Sequence, residues 1–75
     1  MTPAQQKNVE LIRALRKELR NINTDIGNLM KRMDEGTTGR KEVGKASMSV
    51  VNAGIALKDA LGEIGREEYQ REEED

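Results

Sequence analysis

The residues best equipped for chemistry in this chain lie in one short stretch. Gly36-Thr37-Thr38-Gly39-Arg40-Lys41 leads into a helical pattern, with Lys45 one turn further on. Thr37, Thr38, Gly39, Arg40, Lys41 and Lys45 would bring together open backbone N–H groups at a helix N-terminus, two hydroxyls and three cations. That is the equipment for holding a phosphate. The stretch is not a nucleotide-hydrolase phosphate loop, because the Gly-x₄-Gly-Lys-Ser/Thr order is absent. The competing reading is a helix cap beside solvated lysines. A second basic set, Arg13, Arg16, Lys17 and Arg20, forms a strip at helical spacing. Glu10 and Glu18 interleave with it, so pairing between residues four apart competes with a nucleic-acid reading.

Catalysis is not expected. The chain has no histidine and no cysteine, so it lacks the usual general base and nucleophile near neutral pH. Ser47 and Ser49 fall among small apolar residues with no base in reach of the pattern. Paired carboxylates occur only at Asp34-Glu35 and in the C-terminal segment, neither of them a walled pocket. The expectation is a non-enzymatic protein with no metal site and no cofactor.

These residues are positioned by two helices. Thr2-Pro3-Ala4-Gln5 gives a hydroxyl cap, a proline at the first helical position and a glutamine at the third, the pattern of a capping box. Apolar residues then recur at Ile12, Leu15, Leu19, Ile22, Ile26, Leu29 and Met33, alternately three and four apart, as in a heptad seam. Gly27 interrupts the helix, which a close backbone approach would justify. After a break at 35–39, a second seam runs through Val43, Ala46, Val50, Ala53, Leu57, Ala60 and Ile64. The two seams pair antiparallel about Thr38, setting Ile22 opposite Ala53 and Leu29 opposite Ala46, so that large side chains face small ones.

The expected fold is therefore all-α, an antiparallel two-helix hairpin of coiled-coil type spanning residues 1–65. Its helices cover about 3–34 and 40–64, with the turn at 35–39 and Gly65 as the closing cap. Residues 66–75 hold two arginines against six carboxylates and read as a frayed acidic tail. No apolar run is long enough to span a bilayer, so no membrane partner is expected and the compartment reads as cytoplasmic.

At 75 residues, with no disulfide, no Phe and no Trp, the core is thin. Folds of this size usually need a staple or copies of themselves. Met48, Val51 and Ile55 form a stripe off the second seam, and Leu11 and Met30 lie beside the first. These five are the expected oligomer interface.

Val51-Asn52-Ala53-Gly54-Ile55-Ala56-Leu57, with Leu11-Ile12-Arg13-Ala14-Leu15-Arg16-Lys17-Glu18-Leu19, resembles small phage hairpin proteins that sequester cyclic oligonucleotide signals and so blunt bacterial antiviral defence (the anti-CBASS sponges). The resemblance implies a compact homo-oligomer that traps cyclic di- or trinucleotides at subunit junctions without hydrolysing them. It assigns no ligand contact by position. The functional expectation is such a sponge, in the host cytoplasm if phage-encoded. The alternatives are a helical interaction module binding a host or virion protein through the Met48–Val51–Ile55 stripe, and an RNA-binding hairpin dimer.

Overall fold

A computed structural model describes the backbone of residues 1–74 and the side chains of residues 1–70; the last part of the predicted acidic tail lies outside the described side chains. Two helices, α1 (Pro3–Arg32) and α2 (Arg40–Glu74), pack antiparallel into a rod 59 × 16 × 13 Å. The architecture is the all-α hairpin that the periodicity requires.

Local chemistry explains where α1 begins and ends. Thr2 Oγ1 accepts from the Gln5 N–H at 3.1 Å, and Pro3 opens the first turn. The capping box is only half made, because the Gln5 side chain turns away and its Nε2 donates to Glu67 Oε2 at 3.0 Å. At the other end Lys31 and Arg32 complement the helix dipole, and the Met33 N–H donates back to the Met30 carbonyl. The connection then needs left-handed backbone twice, at Gly36 (φ 86°) and Gly39 (φ 90°). Both positions carry the residue that adopts it at least cost.

The second helix corrects the predicted boundary. Gly65 does not cap it: α2 continues to Glu74. The continuation is part of the hairpin. Glu67 is held by Gln5, and Glu68 is buried, with Oε2 3.1 Å from the Met1 amino group. The helix thus runs on as far as Glu74, where a frayed tail was expected, and Glu67 and Glu68 tie it to the start of the chain through Gln5 and Met1.

The seam itself is half right. Ile12, Leu19, Ile26 and Met33 face α2, and Val43, Val50, Leu57 and Ile64 face α1, all of them half-buried. Of their expected companions, Leu15, Ile22 and Leu29 are 48%, 45% and 46% exposed and Ala46 and Ala53 are exposed as well, while Ala60 is half-buried. In their place the seam uses the neighbouring row, one position along. On α1 these are the half-buried Val9, Arg16 and Met30, with Asn23 reaching α2 through Ser47; on α2 they are Ser47, Gly54 and Leu61. Near the turn, glycines leave room for Met30 and Met33. Met30 Cε comes within 3.9 Å of where a Cβ on Gly44 would stand, and Met33 Cε within 3.8 Å of the same point on Gly39. The register moves with the rotation: Ser47 Oγ donates to Asn23 Oδ1 at 3.3 Å, whereas the expected pairing would set Ser47 near Asn28. No close approach accounts for Gly27, since a Cβ there would meet nothing within 4 Å.

No hydrophobic side chain is fully buried among the described residues. The hairpin exposes 5993 Å². A globular chain of its mass would expose about 4600 Å².

Candidate functional site

The predicted phosphate cluster is built mainly to close the hairpin. Arg40 is half-buried, and its Nε donates to the Met33 carbonyl at 2.9 Å, satisfying an acceptor at the end of α1. The Thr37 N–H donates to Asp34 at 2.9 Å, the Arg40 N–H to Thr37 at 3.1 Å and the Val43 N–H to Gly39 at 3.0 Å. Several of the donors counted on for an anion are therefore engaged within the turn. Thr37, Thr38, Lys41 and Lys45 are exposed, and Glu42 adds a carboxylate to the first turn of α2. The structure brings the six residues to one end of the rod and leaves the two lysines as its open cations.

A groove at mid-length gathers a different set. Arg16, Leu19, Arg20 and Asn23 of α1 and Val50, Val51, Gly54, Ile55 and Lys58 of α2 enclose about 220 Å³. Its floor is aliphatic and its walls carry three cations and no carboxylate. Gly54 keeps the floor open: a Cβ there would meet nothing within 4 Å. Arg16 is half-buried and lines the groove. The ion pairs among the described residues are Met1 with Glu68 and Arg66 with Glu63, so Arg16, Arg20 and Lys58 are not neutralised by a neighbour. Nor do Glu10 and Glu18 pair with the basic strip as their spacing allowed. An aliphatic floor beneath unopposed guanidinium groups suits a molecule that is anionic at one end and flat or apolar at the other. Guanidinium groups can grip a phosphate through two parallel hydrogen bonds and can stack on a base.

The groove also divides the five predicted interface residues. Arg20, Val51 and Lys58 each follow a seam residue by one and line the groove together. In an antiparallel pair, residues at the same heptad offset on the two helices fall on the same side of the seam. Val51, Ile55 and Met48 therefore flank the groove, exposed at 45%, 53% and 64%. Leu11 belongs to the opposite side. Met30 is half-buried in the intrachain seam and is not an outward-facing residue.

Sequence reasoning placed Arg16 and Arg20 in a strip on α1, apart from Lys58 on α2. What it missed was their convergence. The available signal was the small residue Gly54 between them, at a position where either large neighbour could have closed the groove.

No family model, curated protein or solved structure matches the chain. Among the described residues there is no cluster of three or more carboxylate, histidine or cysteine groups placed to hold a metal, and no helix is long and apolar enough to cross a membrane.

Proposed function

We propose that this chain is a non-enzymatic, self-associating binding protein that sequesters small nucleotide anions. Its ligands would be cyclic di- or trinucleotide signals, held so as to counter bacterial antiviral defence. One observation carries the reading: Arg16, Arg20 and Lys58 stand without carboxylate partners over an aliphatic floor. Phosphates would meet the cations, and a base would lie against Val51 and Ile55 or stack on a guanidinium plane. At about 220 Å³ the groove holds only part of such a ligand; ligand sites usually run to about 300–1,000 Å³. The exposed Lys41 and Lys45 would add electrostatic attraction at the turn.

Calorimetry against a panel of cyclic di- and trinucleotides tests this. The expected result is saturable binding that weakens with salt, is abolished by Arg16→Glu with Arg20→Glu, and releases the ligand chemically unchanged. Absence of binding by every member of the panel would overturn it.

A second reading has its own support. Met48, Val51 and Ile55 form an exposed apolar stripe bordered by cations, a surface suited to an acidic amphipathic helix of another protein. On that reading the chain is an inhibitor, adaptor or assembly factor for a host or virion protein, and the groove seats its partner's carboxylates.

A further inference from the structure

The side of the hairpin away from the groove has a different chemistry. Leu15, Ile22 and Leu29 each follow a seam residue of α1 by three positions, and Ala46, Ala53 and Ala60 do the same on α2. By the rule that the groove illustrates, both rows lie on one side of the seam. The result is a ridge of large aliphatic side chains beside a trough of alanines over the middle of the rod. Such a surface is complementary to itself. A twofold axis lying in the interface and parallel to the rod lays the leucine ridge of one chain along the alanine trough of the other, large against small.

We infer that this face is covered by a second copy of the same chain, giving a four-helix bundle with a groove open on each outer side. Three observations favour a copy over an unrelated partner. The area exposed beyond that of a globular chain of this mass is about 1400 Å², more than the roughly 800 Å² that each partner buries in a stable interface. The hairpin has no fully buried hydrophobic side chain among its described residues, so its cover must be present whenever the chain is. A copy always is. And the ridge and trough match each other, as a surface shaped for another protein would have no reason to do. The interface lies on the side opposite Met48, Val51 and Ile55, and the groove stays accessible in the assembly.

The chain has no cysteine, so single cysteines can be placed at will. Ile22 and Val51 are matched probes, because each is 45% exposed in the single hairpin. In the assembled protein Ile22→Cys should react with a soluble alkylating reagent several-fold more slowly than Val51→Cys, and the two should react equally in denaturant. Equal rates in the native protein, or the reverse order, would overturn the inference. Sedimentation equilibrium provides the second arm. The unmodified chain should sediment as a dimer or a multiple of one. Ile22→Lys should weaken self-association about tenfold or more, the equivalent of about 1.4 kcal/mol, while Val51→Lys should leave it unchanged. A monomeric unmodified chain, or assembly broken by Val51→Lys and indifferent to Ile22→Lys, would also overturn it. Neither arm depends on nucleotide binding, so the inference stands or falls apart from the proposed ligand.

Discussion

At the residue scale the structure assigns each unusual side chain a specific cost or gain. Gly36 adopts φ 86° with open space where a Cβ would stand, so Gly36→Ala loses only through the backbone. Urea denaturation should show a loss of about 1–2 kcal/mol. Gly27 is helical with the same open space. Gly27→Ala should therefore stabilise by about 0.8–1 kcal/mol; a loss instead would point to a close approach in the assembly. Arg40 and Lys41 look alike in sequence and differ in role. Arg40→Ala removes the donor to the Met33 carbonyl and should cost about 0.5–1.5 kcal/mol. Lys41 is exposed, with no side-chain hydrogen bond or ion pair among the described residues, so Lys41→Ala should fall within about 0.5 kcal/mol of zero. Thermal melts of the two variants side by side decide the matter. The sequence showed that this turn held cations and hydroxyls. It could not show that one guanidinium was committed to closing a helix, because that depends on where the chain folds back.

At the scale of elements, the existence and order of the helices were legible from spacing alone, as was the start of α1 from Thr2-Pro3. The rotation of the helices was not. Ile12, Leu19 and Ile26 belong to two possible seams, one completed by Leu15, Ile22 and Leu29, the other by Arg16, Asn23 and Met30. Hydrophobicity favours the first. The second is the one the fold adopts: Ser47 donates to Asn23, and Met30 comes within 3.9 Å of the Cβ position of Gly44, contacts that an apolar count does not register. Gly65 misled for a related reason: the helix passes through it because residues beyond are held against α1. A chain ending at Gly65 should therefore lose order at both ends of that contact. Amide exchange should quicken through residues 3–9 of α1 while residues around Asn23 and Ser47 stay protected; unchanged exchange in α1 would show that the extension contributes nothing.

For the whole molecule, the hairpin is two surfaces joined by a thin seam. One side is cationic with an aliphatic floor. The other is a ridge and trough of aliphatic residues left open to water. That the core would be thin was legible from the chain's length and its lack of Phe, Trp and Cys. Where its uncovered aliphatic face would lie was not, since the five residues first suspected fall on two sides and in the seam. The central claim is that these sides divide the work, one for assembly and one for anions. Native mass spectrometry with a cyclic dinucleotide added tests it most directly, because subunit number and bound ligand are read from the same ions. The account predicts an even-numbered assembly of the 8.4 kDa chain that gains whole ligand masses and loses that gain, but not its subunit number, on Arg16→Glu with Arg20→Glu. A monomer that takes up no ligand would contradict it.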